Sequence, residues 1–233
     1  MFEDIRERLR QVQQRVAKAA ERSGRKVDDI TLIAVSKTFD TSTVQLAIDA
    51  GVRHLGENRV QEAAGKVNQV KSDGLRWHLI GHLQSNKARQ AALIFDVIHT
   101  LDSVELVRRL DRIAGDEGKR PTVLAQVDLG RETTKSGVEE GKLPELVEAL
   151  DSAQHLAFRG LMTLPPFFDS PELTRGYFQR LRELLGTLNR NRQADRRLVE
   201  LSMGMSNDFE VAIEEGATMI RVGTAIFGSR VGP

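Results

Sequence analysis

Cysteine is absent from the 233 residues. That excludes disulfides and cysteine-ligated zinc, and it permits a reducing compartment. An excess of charge is also missing. Lys and Arg total 34, Asp and Glu total 33, and the net charge is +1. Such a balance gives no electrostatic reason to expect nucleic acid or an anionic membrane as partner. The densest basic cluster, Arg190, Arg192, Arg196 and Arg197, contains no aromatic and reads as a solvated helix end and loop. No apolar run approaches the ~20 residues of a membrane span. Met1 to Arg10 is charged throughout and has no apolar signal-peptide core, so a cytoplasmic location is expected. The five histidines form no H-E-x-x-H set, which argues against a metal. No G-x-S-x-G is present, and no G-x-G-x-x-G follows the first strand.

What is present is the composition of a globular protein with a full core, 40% hydrophobic and 29% charged. Phe2, Ile5, Leu9, Val12 and Val16 recur at spacings of three and four. That makes one apolar helical stripe, stopped at Ser23-Gly24. The stripe packs on the flank of the same domain or, alternatively, on a second copy. A monomer is expected, with a weak dimer as the other outcome.

Short β-rich runs then alternate with helical runs. Strands are expected at Thr31–Ser36, Arg53–Leu55, Arg76–Ile80, Asp96–His99, Thr122–Asp128, Ala157–Met162, Leu198–Ser202 and Met219–Val222. Helices are expected between them, the last near Asn207–Glu214. Strict alternation points to a parallel sheet. Eight units in a chain of this length favour a closed (β/α)8 barrel, read as one domain over residues 1–233 with an extra N-terminal helix. The polar stretch Gly130–Gly141 is the longest expected loop.

Barrels of this kind place their chemistry at the carboxyl ends of the strands. Lys37 follows the apolar run Leu32-Ile33-Ala34-Val35, at the mouth of the first strand. In a partly desolvated cup an amine becomes a Schiff-base nucleophile; at a plain strand end it is a surface or ion-paired lysine. The last two strands end in Ser202-Met203-Gly204-Met205-Ser206 and Arg221-Val222-Gly223-Thr224. Ser206, Gly223 and Thr224 suit a phosphate, because hydroxyls and close backbone N–H groups bind anions. The alternative is plain capping: Asn207 and Glu210 stand at capping-box spacing. Arg221 has no local carboxylate in sequence and faces either a cofactor or a structural acid. Asn58 is a helix cap or a site residue. His82 is the better rim candidate, whereas His78 and His99 read as hydrogen-bonded core or rim and not as ligands.

With these residues in place, the chain resembles the pyridoxal phosphate homeostasis protein family. The matching segments include Ala34-Val35-Ser36-Lys37-Thr38, Gly56-Glu57-Asn58-Arg59-Val60-Gln61-Glu62 and Trp77-His78-Leu79-Ile80-Gly81-His82. Lys135-Ser136-Gly137, Leu201-Ser202-Met203-Gly204-Met205-Ser206 and Arg221-Val222-Gly223-Thr224 continue the match. Arg59 stands where many members have an aromatic.

The resemblance implies the barrel of alanine racemase and the cofactor pyridoxal 5′-phosphate (PLP), held on Lys37 as a Schiff base. It places Ser206, Gly223 and Thr224 on the phosphate, Arg221 on the pyridine nitrogen, and Met162 and Asn58 along the ring. It also implies a carrier that buffers or delivers PLP, with PLP-dependent apo-enzymes as partners. A guanidinium cannot accept the ring-nitrogen proton, so the cofactor's electron sink is weak. The second domain of the racemase and its catalytic tyrosine are not expected; Tyr177, the sole tyrosine, falls on an outer helix. A PLP-dependent racemase or lyase using His82 is the alternative. A cofactor-free Schiff-base aldolase on a sugar phosphate is a third reading.

Overall fold

A computed structural model describes residues 2–70, 72–130 and 136–228. Lys135 lies outside the described residues. The chain opens with helix α1 (Phe2–Arg22). Strands and helices then alternate: β1 (Thr31–Val35), α2 (Thr41–Asp49), β2 (His54–Glu57), α3 (Val60–Val67), β3 (Arg76–Leu79), α4 (Ala88–Ile94), β4 (Val97–Leu101), α5 (Val104–Asp116) and β5 (Thr122–Asp128). After the two-residue β6 (Val138–Glu139) come α6 (Leu143–Ser152), β7 (Ala157–Met162), α7 (Arg175–Asn189), β8 (Glu200–Met205), α8 (Phe209–Glu214), β9 (Met219–Val222) and α9 (Thr224–Phe227).

The strand order is β4-β3-β2-β1-β9-β8-β7-β5, and pairing of β4 with β5 closes the ring. Among the described residues, eight parallel strands therefore form the expected barrel, and β6 sits outside it on the end of β5. Three strands match their expected bounds. Glu57 extends β2 beyond the expected end, and β8 begins at Glu200 rather than Leu198. Between strands and helices lies the main core. Amphipathic helices such as α5 supply Leu106, Val107, Leu110 and Ile113 to it.

The barrel interior is divided. On one side Ile33, Leu124, Met162 and Met219 form a small apolar cluster. On the other, buried polar side chains stand where such barrels usually carry branched apolar ones. His78, His99, Ser202 and Arg221 are all at least 97% hidden from solvent, at 1%, 0%, 0% and 3% exposure.

The N-terminal stripe is used within the chain. Ile5, Leu9, Val12 and Val16 are buried, and α1 packs on α2, α8 and α9. Arg15 joins Glu210 at 2.7 Å and lies over the Phe209 ring. The capping expectation at Asn207 is therefore corrected. Helix α8 starts at Phe209 with Asp208 as its N-cap, and Glu210 turns away to Arg15 instead of closing a capping box. The basic cluster also needs a correction at Arg192, whose side chain is folded onto Asp151 at 2.6 Å.

Candidate functional site

A cavity of about 320 Å3 opens at the carboxyl ends of the strands. Lys37, Asn58, Ser206, Arg221, Gly223 and Thr224 all line it, so six of the seven expected site residues meet in one place. Met162 does not. It lies fully buried in the apolar cluster within the barrel, and Leu164, two residues on, reaches the cavity wall instead. Side chains alternate along a strand, which points Met162 inward while the chain beyond it climbs to the rim.

Lys37 is half-buried in the turn after β1. Its neighbours are held firmly. The Ser36 carbonyl accepts from Lys66 Nζ at 2.7 Å, and Ser36 Oγ donates to Glu57 Oε1 at 2.7 Å. Lys66 also bonds Glu57 Oε1 at 2.7 Å. Glu57 is wholly buried, and among the described residues its Oε2 has no partner. Burial pushes the Glu57 carboxyl up, against the pull of Lys66 and Ser36. On the other side of Lys37, Thr38 has φ +69°, a left-handed conformation that a β-branched residue rarely adopts. Its N–H reaches Glu62 Oε2 at 3.3 Å. Lys37 thus sits in a strained turn anchored from below by a buried ion pair.

The far side is built from the last two strands. Ser202 pairs with Met219 but Met205 pairs with Arg221, so β8 holds one extra residue there. Gly204 supplies the bulge with φ +91°; a Cβ on it would stand 2.6 Å from Ala212 Cβ. The bulge delivers Ser206 to the following loop, where its Oγ accepts from Gly223 N at 3.2 Å. The two terminal loops are thereby tied together beside Thr224. Arg221 rises from β9 beneath them. Its Nη1 donates to Ser202 Oγ at 2.6 Å and its Nη2 to the Thr163 carbonyl at 2.9 Å. Complete burial pushes its pKa down to about 10, opposed by Asp208.

Val35, Phe39, Ile80, Leu164 and Phe167 form the apolar walls. Asn207 donates to the Phe168 carbonyl at 3.0 Å and so fastens the segment that carries Phe167. Tyr177 lies on α7, stacked on Phe168, and is not among the cavity residues. His82 lies on the rim, 3.5 Å from Asp102, also outside the cavity lining. Arg59 is exposed and lies 4.0 Å from Glu62.

Sequence reasoning missed the apolar walls, the Lys66–Glu57 anchor and the role of Ser202. The Gly56-Glu57-Asn58 run carried a signal for the second, since an acidic residue inside a β-run calls for a buried partner.

The barrel, its terminal loops and the lysine just past the first strand define a chain of the alanine-racemase N-terminal type. The family model described as "Alanine racemase, N-terminal domain" matches residues 6–231. The chain belongs, within that fold, to the pyridoxal phosphate homeostasis protein family. It is 42% identical over 224 residues to the pyridoxal phosphate homeostasis protein of Aquifex aeolicus, covering 96% of this chain and 97% of that one. Similarity to the protein of the same name from Escherichia coli K12 is 41% over 230 residues, covering 97% of each. Among solved structures it is similar to PipY of Synechococcus elongatus with PLP bound, at 42% identity and a TM-score of 0.82, covering 96% of this chain and all of that one. Alanine racemase of Clostridium difficile shares the fold at a TM-score of 0.71 and 16% identity; this chain spans 58% of it.

Proposed function

We propose that this chain is a PLP-binding protein of intracellular, cytoplasmic vitamin B6 homeostasis, one barrel domain that carries the cofactor on Lys37 and buffers or delivers it. The observation that carries the reading is the convergence on one cavity of an amine, a donor-only cation and a hydroxyl-bearing pair of loops. Each matches one part of PLP. When bound, PLP supplies an aldehyde that amines attack and a ring that draws electrons from the resulting bond.

The chain's own residues supply the rest. Lys37 would hold the aldehyde carbon through its amine, with loss of one water. Ser206 and Thr224 hydroxyls and the backbone at Gly223 would hold the phosphate. Arg221 would donate to the pyridine nitrogen. Because a guanidinium only donates, Arg221 would favour an unprotonated nitrogen and a weak electron sink. Asn58, Ile80 and Leu164, which line the cavity, would flank the ring and keep bulk water from it.

A carrier is favoured over a racemase by the composition of the lining. Racemisation needs a proton donor on each face of the cofactor. Among the described cavity residues, Lys37 is the one side chain of ordinary proton-transfer type; no Asp, Glu, His or Tyr joins it. The partners that fit a carrier are PLP-dependent apo-enzymes that take the cofactor by exchange of one amine for another. The test is titration with PLP followed by visible absorbance. A yellow 1:1 adduct that a primary amine releases, with no turnover of the amino acid supplied, is the expected result. Multiple-turnover racemisation by the purified chain would overturn the carrier reading.

A further inference from the structure

Three histidines cross the polar half of the barrel. They run head to tail from the lower mouth to the guanidinium beneath the cup. His54, at the start of β2, is half-buried, and its Nδ1 lies 2.9 Å from His78 Nε2. His78 Nδ1 lies 2.9 Å from His99 Nε2. His99 Nδ1 lies 2.8 Å from Ser202 Oγ, which accepts from Arg221 Nη1 at 2.6 Å. Parallel register sets the spacing, since His54, His78 and His99 stand on adjacent strands.

We propose that His99, acting through Ser202, is a positioning residue for Arg221, and that the three imidazoles form one polarised chain with every proton on Nε2. The direction follows from the one member that cannot change. Arg221 is a pure donor, so Ser202 Oγ must accept from it. The hydroxyl has a single proton, and among the described residues His99 Nδ1 is the acceptor within reach. His99 therefore keeps Nδ1 bare and carries its proton on Nε2. That proton goes to His78 Nδ1, which forces the same tautomer there and again at His54. The opposite polarity would aim both Arg221 and His99 at Ser202 and leave the hydroxyl proton unplaced in a site closed to water.

A second proton on His78 would set its Nδ1–H against the Nε2–H of His99, and one on His99 would set its Nδ1–H against the Ser202 hydroxyl proton. The charges around the chain are consistent with a neutral state. Arg76 and Asp96 face His54, Arg76 faces His78, Arg221 faces His99, and Asp208 faces Arg221. Burial, with these neighbours, holds His78 and His99 well below the usual imidazole range. Two of the five guanidinium N–H groups are thus committed to Ser202 and Thr163, which fixes the plane in which the rest meet the cup. The link to the ring nitrogen rests on the PLP reading; the chain itself does not.

Two-bond 1H–15N imidazole spectra of the uniformly 15N-labelled, PLP-free protein test the proposal. The expected result is the Nε2–H pattern at His54, His78 and His99, unchanged for His78 and His99 from about pH 5 to 8. An Nδ1–H or cationic imidazole at His99 or His78 in the wild type would overturn it. In Ser202→Ala the lock is removed, and both tautomers are expected at His99 and at His78, which Ser202 does not touch; an unchanged His78 would reduce Ser202 to a local packing role and overturn the chain. Should that variant fail to fold, the wild-type spectra decide alone. PLP added to the same samples reports the cofactor reading separately. Absence of a visible adduct would defeat that reading and leave the tautomer result standing. With both intact, Ser202→Ala is expected to release PLP about tenfold faster than wild type.

Discussion

Replacing Lys66 by Met should be far more damaging than the loss of a surface lysine, and more so as pH rises. Lys66 and Glu57 are 7% and 0% exposed and meet at 2.7 Å. Breaking a buried pair by removing one partner costs about 3–5 kcal/mol, because the other charge is left in a poor solvent. With a urea slope of about 2.5 kcal/mol per M, the unfolding midpoint falls by about 1–2 M. The pH dependence follows from Glu57. Its carboxyl is raised by burial and held back by Lys66, so the variant raises it further. A carboxyl raised on folding contributes stability that is complete below its unfolded value and lost as pH climbs through its folded one. The deficit of Lys66→Met should thus be smaller at about pH 5 than at about pH 8, at about 1.4 kcal/mol per pH unit within the window. Adding Glu57→Gln removes the stranded charge while its amide oxygen still accepts from Ser36, and should recover most of the loss. The assay is urea unfolding of the two single variants and the double at both pH values. A Lys66→Met loss under about 1 kcal/mol, or a double variant no better than the single, would refute the buried pair as the anchor of the Lys37 turn.

Gly81→Ala should destabilise the protein and weaken PLP binding together, because its Cβ would run into the Asn58 backbone carbonyl at the cavity wall; paired denaturation and PLP titrations check both. Ser206→Ala should raise the PLP dissociation constant about tenfold by removing a hydroxyl from the phosphate loops and the acceptor of Gly223 N–H, with little change in fold by circular dichroism. Stability should fall as pH drops below about 6.5. His78 and His99 stay neutral in the fold but gain protons when unfolded, so each contributes a loss of about 1.4 kcal/mol per pH unit. Glu57 and Asp208, both raised by burial, oppose that slope further down, towards the unfolded carboxyl range. Thermal unfolding between about pH 5.5 and 7 reads the sum, and a flat profile there would contradict neutral inner histidines.

Much of this architecture is written locally. Runs such as Leu32-Ile33-Ala34-Val35 and Thr122–Asp128 declare buried strands, and the strand-end rule then collects Lys37, Asn58, Ser206, Arg221, Gly223 and Thr224. What the sequence conceals is side-chain pairing across distant strands. His99 and Ser202 are 103 residues apart, and only closure of the ring brings them to 2.8 Å. His78 and His99 read one at a time give no hint of each other; the chain exists only in register. Lys66 reads as an ordinary polar position of a short helix, yet its stem lies buried and its amine reaches β2. Capping was misplaced at Asn207 because Arg15, on the far N-terminal helix, competes for Glu210. Met162 lies in the barrel and not on the cavity lining, because a strand's last residue points inward or over the rim according to a pleat that one-dimensional spacing does not fix.

Incubation of the protein with PLP, reduction with borohydride and peptide mapping bear most directly on where the cofactor is held. A single phosphopyridoxyl group on the peptide containing Lys37, and none in a Lys37→Ala variant, is the result expected. Label spread over surface lysines, or the same label retained in Lys37→Ala, would contradict the assignment.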